Sequence, residues 1–333
     1  MNHFDPTVKM RCFHIMKRIV LLLLSLLLLL SLSACGKSGA KIVPIESLSP
    51  VSTSAGLYTP APTPEVTPTP VPVVVARIEE SGMTLGSRIN PPMGCTRDYA
   101  AADSFAAFLR TYPVKGASAE VLYYDGSARQ DAQAAAVLDV SLGKKNHEGP
   151  AGSIARLYSE YFYSIEEFHK IAFPIGKGLS FSFEKWRKGY RLNDKGTDWV
   201  SGGKESNGEE NFNNYLSSLM VYLSADNLKE NCIKIEDVDS DEIRVGDLFI
   251  GKSGDGKSRI LMVADLCRND ETGEKLMLLV QGGSPAQTLH IVENPTSQTL
   301  SPWYSCAFTN QLVTPDLTVN IEDRYRFKQF SAE

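Results

Sequence analysis

Four short apolar runs crowd the last third of the chain: 244–250 "RVGDLFI", 259–266 "RILMVADL", 274–281 "EKLMLLVQ" and 288–294 "TLHIVEN". Each has strand length, and Gly, Asp, Asn and Lys between them supply turn chemistry. They predict successive strands of an antiparallel sheet joined by hairpin-like turns. Ahead of them the spacing is helical. "DSFAAFLRTY" predicts a short helix with Asp103 as N-cap and Pro113 as stop. Pro150 suits a first helical position, and Ile154, Leu157, Tyr158 and Tyr161 follow at helical intervals. "FSFEKWRKGYR" predicts another short helix, and 210–228 a long one striped by Phe212, Tyr215, Leu216, Leu219, Met220 and Leu223. "EVLYYDG" and "AAAVLDV" read as strands. Helices before a strand-rich half predict an α+β fold, an antiparallel sheet in the C-terminal half packed with helices.

The first 76 residues do not belong to that fold. Met16-Lys17-Arg18 precedes a 14-residue apolar run, Ile19–Leu32, that ends in Leu-Ser-Ala-Cys35. A basic start, a short apolar stretch and small residues before Cys predict a lipoprotein signal over 1–35, with Cys35 lipidated and the translation start open between Met1 and Met16. Removing residues 1–34 takes away Lys9, Arg11, Lys17, Arg18 and Asp5, leaving 30 basic and 38 acidic groups, a net charge of −8. That balance argues against nucleic acid as a partner. Membrane attachment is therefore expected through acyl chains, and location outside the cytoplasm. Residues 36–76 follow as a tether, because eight of the 18 prolines fall between Pro44 and Pro72. Extended, 40 residues reach on the order of 100 Å. Residues 77–333 remain as one globular domain.

Motif lookalikes in that domain carry less than they promise. Gly251–Ser258, "GKSGDGKS", matches a phosphate-binding loop by letter, but a working loop opens a helix. Here strand formers follow, so a hairpin turn is predicted and no nucleotide. Asp237, Asp239 and Asp241 have calcium-loop spacing, yet Glu242 and Leu248 occupy positions that need Gly and Glu. No metal or cofactor is expected. Cys95, Cys232, Cys267 and Cys306 form no metal-like pattern; buried thiols, one disulfide or a nucleophile all remain open. Trp186, Trp199 and Trp303 read as packing residues, and His147, His169 and His290 as hydrogen-bonded structural ones.

Seven segments share an order with one family: "YYDG" (123–126), "VLDV" (137–140), "RLYSEYFY" (156–163), "KWRKGYR" (185–191), "GDLFI" (246–250), "PAQTLHI" (285–291) and "LSPWY" (300–304). Over about Arg88 to Tyr304 the chain resembles an uncharacterised bacterial family of secreted proteins and lipoproteins, domain of unknown function 4846. The resemblance implies a Cys before the "RLYSEY" helix, a His opening the strand after "GDLFI", and a Gln ending the next strand. That order resembles papain-like hydrolases, in which a helix N-terminus and an imidazole activate the thiol. In this chain the first two positions hold Pro150 and Arg259, and only Gln281 is kept. Proline has no nucleophile, and arginine is no base near neutral pH.

Two functions follow as expectations. The first is a non-catalytic envelope lipoprotein that binds a cell-wall or peptide ligand in a degenerate cleft formed by Pro150, Arg259 and Gln281. The second is an active hydrolase with another constellation, such as Cys95 with His290. The anchor is testable alone: Cys35→Ser should move the protein from the membrane to the soluble fraction, and mass spectrometry should find the mature chain beginning at acylated Cys35. Unchanged membrane retention would refute the anchor.

Overall fold

The computed structural model describes residues 76–236, 239–308 and 311–330; the predicted signal, Cys35 and the tether through residue 75 lie outside the described residues. A nine-stranded antiparallel sheet organises the domain. Its strands are β1 (Cys95–Arg97), β2 (Ala134–Val137), β7 (Cys232–Lys234), β8 (Leu248–Lys252), β9 (Ser258–Asn269), β10 (Lys275–Gln281), β11 (His290–Val292), β12 (Tyr304–Ser305) and β15 (Arg324–Phe327). The order is β2-β11-β10-β9-β8-β15-β7, with β1 on the far end of β9 and β12 on β10. Three hairpins stand apart from it: β3 (Ala172–Pro174) with β4 (Ser180–Ser182), β5 (Tyr190–Leu192) with β6 (Trp199–Ser201), and β13 (Gln311–Val313) with β14 (Thr318–Asn320). The helices among the described residues are α1 (Leu85–Arg88), α2 (Phe105–Arg110), α3 (Pro150–Ser164), α4 (Phe183–Arg187), α5 (Glu209–Leu219) and α6 (Ala225–Glu230). None of them is long and apolar enough to cross a membrane.

The runs over 274–281 and 288–294 contain β10 and β11, those over 244–250 and 259–266 overlap β8 and β9, which extend past them, and the fold is α+β as expected. All seven residues of β10 are buried, because both faces of the sheet are covered. On one face Ile250, Ile260, Met262, Leu278 and Val280 pack with Ile154, Leu157 and Tyr158 of α3. On the other, Phe249, Leu261, Val263, Met277 and Leu279 pack with Leu312, Leu317 and Val319 of the β13–β14 hairpin. Burying each such side chain stabilises by about 1.5–3 kcal/mol. Tyr158 anchors the helix, stacking on Phe327 with centroids 4.4 Å apart and donating to the Gly246 carbonyl. Asp265 is fully buried in β9 and accepts from Arg97 and Arg110 at 2.7 Å each, which fixes β1 and α2 against the sheet.

Several expectations change in detail. The cap of α2 is Ser104, not Asp103; its hydroxyl accepts from the Ala107 amide. The long helix over 210–228 is two, since Ser224 and Asn227 form a capping box that opens α6. "EVLYYDG" makes only isolated bridges, Leu122 with Ala128 and Tyr123 with Gln287. "FSFEKWRKGYR" is helical only over α4, because Phe181 belongs to β4 and Tyr190 to β5. Within Gly251–Ser258, Ser253 to Lys257 form the turn between β8 and β9, where the Ser253 amide donates to the Lys257 carbonyl at 3.0 Å and Gly256 takes φ +75°.

Gly246 enters β8 with φ +91°, and an added Cβ would lie 3.2 Å from the Phe105 ring. Gly246→Ala should therefore lower the unfolding free energy by about 1–3 kcal/mol in urea titration. Gly254→Ala has open space and no positive φ, so it should stay within about 0.5 kcal/mol of the parent.

Candidate functional site

The structure sets Pro150 apart from Arg259 and Gln281, which the resemblance grouped with it. Pro150 is buried at the first position of α3, on the helix-covered face. Arg259 pairs with Gly251 and alternates with Ile260, so it shares the face of Leu261, beneath the β13–β14 hairpin. Gln281 pairs with Leu261 and lies on that same face. A papain-like centre needs the helix N-terminus and the opening residue of the strand in one cleft. Here the sheet stands between Pro150 and Arg259. The guanidinium of Arg259 turns back to Asp255 at 3.3 Å in the hairpin.

Gln281 does have a polar site around it, built from four chain segments. Its Nε2 donates to Asp316 at 2.5 Å and lies 3.1 Å from Nε2 of His290, its neighbour across β10 and β11. Asp316 sits in the turn between β13 and β14, and Arg129 reaches it from the loop before β2 with two bonds of 2.6 and 2.8 Å. Arg129 also meets Asp131 at 2.9 Å. Nδ1 of His290 lies 3.0 Å from the Thr288 carbonyl, so that nitrogen carries the proton and Nε2 accepts from Gln281. The Oε1 of Gln281 is buried without a hydrogen-bond partner among the described residues.

The electrostatics follow from burial. Burial alone would raise the Asp316 carboxyl, but the Arg129 fork and the Gln281 amide outweigh it and hold the group below its ordinary value. Burial pushes His290 down to about 4, so the ring is neutral at physiological pH. Asp316 also lines a polar cleft of about 280 Å³ with Lys252, Ser253, Gly254, Thr314 and Thr318. The cleft thus offers the Thr318 hydroxyl, an exposed ammonium and a carboxylate already neutralised from behind, since the Ser253 and Thr314 hydroxyls already donate to Asp255 and the Leu317 carbonyl. Such a set suits recognition by hydrogen bonds. Both ring nitrogens of His290 are spent inside the network, which leaves the imidazole poorly placed to take a substrate proton.

The other sequence candidates fall elsewhere. Cys95 pairs with Asn269, eight residues along β9 from Leu261 beside Gln281 and His290. At ~3.3 Å per residue that is about 26 Å, so Cys95 and His290 form no dyad. The four cysteines among the described residues are free thiols; Cys232, Cys267 and Cys306 are buried, and burial pushes the Cys95 thiol upward, away from nucleophilic character. Trp303 and Trp186 are buried, as packing residues should be, and Trp199 is half-buried. His147 is exposed, and His169 lies at the surface 3.3 Å from Glu167. No group of three metal-ligating side chains occurs among the described residues. Arg129 and Asp316 were not singled out by sequence, because each lies in a loop without diagnostic spacing.

His290 gives the site a pH signature. Its folded pKa is depressed to about 4 from the ordinary 6.5. The unfolded chain therefore binds a proton between these values that the folded chain refuses. The stability contribution is present above pH 6.5 and is lost as the pH falls toward 4, by roughly 3 kcal/mol in all. His290→Gln should flatten that limb of a denaturation series between pH 7 and 4. Equal slopes in parent and variant would refute the buried neutral imidazole.

Neither a curated protein nor a solved structure matches the chain. A family model does, over residues 85–326, a span that takes in α1, the whole helical layer and the sheet as far as β15. With well over half of its 333 residues covered, the chain belongs to the family described as domain of unknown function 4846.

Proposed function

We propose that the protein is a non-catalytic, extracytoplasmic lipoprotein. Cys35 is its membrane anchor, and the Pro-rich tether carries the domain away from the bilayer. The domain binds a polar ligand, a cell-wall fragment or a peptide, in the cleft lined by Lys252, Thr318 and Asp316. One observation carries this reading: the cleft is backed by a closed network, Arg129 to Asp316 to Gln281 to His290, in which the groups capable of base chemistry are already engaged. A rigid, charge-compensated floor favours binding, because little side-chain order remains to be lost when a ligand docks. With Pro150 and Arg259 on opposite faces, hydrolase ancestry has no geometric support, and the substitutions at these positions carry no weight in this reading. The lipid anchor, the tether and the ligand class rest on the sequence.

Full-length protein mixed with soluble wall peptides should retain them with unchanged mass. Lys252→Glu, at the exposed rim, should weaken retention about tenfold, since one favourable charge contact becomes repulsive. Cleaved fragments in the mixture, lost on heat inactivation, would overturn the non-catalytic assignment. Equal retention by parent and Lys252→Glu would overturn the cleft.

A further inference from the structure

A second cavity, of about 170 Å³, lies beyond the opposite end of β8. From Val245 to Lys252 is seven residues, about 23 Å at strand rise, so it is separate from the polar cleft. Its floor is apolar: the Phe105 and Phe330 rings stack with centroids 5.1 Å apart, and Val245 lies alongside. Its rim holds two guanidinium groups, Arg244 and Arg326.

The two arginines are in different states. Arg326 is nine-tenths buried, and its Nε and Nη2 donate to Asp247 at 2.7 and 2.9 Å. Nη2 also donates to the Glu242 carbonyl at 2.7 Å. Its Nη1 has no protein acceptor among the described residues, while the side chain lines the cavity. Arg244 is half-exposed, and its side chain meets the exposed Glu242 carboxylate loosely, at 3.8 Å, the one ion pair it makes among the described residues. Ser104 adds no free donor, because its hydroxyl already donates to the Ala101 carbonyl. An apolar floor and a guanidinium rim are complementary to a ligand with an apolar body and a carboxylate head. A volume near 150 Å³ holds one benzene-sized group.

We propose that this cavity is a binding site for a small carboxylate that carries an aromatic or branched aliphatic group, with Arg244 and Nη1 of Arg326 holding the carboxylate and Phe105 and Phe330 the apolar part. Glu242 is the competitor for Arg244. At 3.8 Å and in solvent it gives way at little cost. The site stands on its own geometry and does not depend on the polar cleft.

Phenylacetate titrated into the full-length protein, followed by ligand-observed NMR, is the test. Saturable binding should be at least tenfold tighter than for neutral phenylacetamide. Arg244→Ala should cut that preference several-fold, the remainder coming from Arg326, while leaving the melting temperature unchanged, because the residue is exposed. Arg326 is left intact in the test, since it neutralises buried Asp247. Lys252→Glu should leave phenylacetate binding as in the parent. Equal binding of acid and amide, no saturable binding of either, or an undiminished preference in Arg244→Ala would each overturn the proposal.

Discussion

Strand β10 has water on neither side, and much of the domain can be understood as the consequence. Its seven buried residues need a cover on each face. Helix α3 provides one, with Tyr158 fixing its depth by stacking on Phe327. The second cover comes from far along the chain, where the β13–β14 hairpin lays Leu312, Leu317 and Val319 over Leu261 and Leu279. A glycine makes that approach close: Leu317 lies only 3.1 Å from where a Cβ at Gly251 would be. The same hairpin that seals the core therefore brings its turn, with Asp316, to the end of β10.

That arrival decides the chemistry of the site. β10 ends in Gln281, a polar side chain 1% exposed, and a buried amide without partners costs ~1–3 kcal/mol. His290 and Asp316 take its two N–H groups. Asp316 is in turn too buried to stand alone as a charge, and Arg129 neutralises it through two bonds. Each member exists because the previous one needs it, and the chain of need ends at Asp131 in solvent. A network closed this way holds one geometry and one protonation state over the neutral range.

How much of this was legible in the sequence depends on whether the signal was local. The four strand runs and the Pro150 helix start are local, and all are found. The Ser224 capping box was also local, and it was overridden by the longer apolar stripe from Phe212 to Leu223. The faces of β9 were not legible. All of Ile260 to Cys267 is buried, so no alternation of polar and apolar residues marks which side each residue takes. A resemblance in residue order could therefore suggest a Pro150–Arg259 cleft that the sheet divides. Arg129 and Asp316 lie 187 positions apart, in loops, and nothing short of the folded chain pairs them.

The position of Arg259 shows what such a departure means physically. A group at that point on β9 faces the hairpin side, so its natural partners are the turn carboxylate of Asp255 and the cleft around Asp316, not the start of α3. Placing a guanidinium there adds a fixed positive charge beside a network that is otherwise internally balanced. At this end of the sheet Arg259, Lys252, Lys257 and Arg129 stand against Asp255, Asp316 and Asp131, and the cations outnumber the carboxylates by one. An otherwise acidic chain thus turns a locally basic rim toward the cleft. Under the proposed function, that polarity favours the carboxylate end of a bound peptide over its amino end, and it makes Lys252 a sharper test of orientation than any residue inside the network.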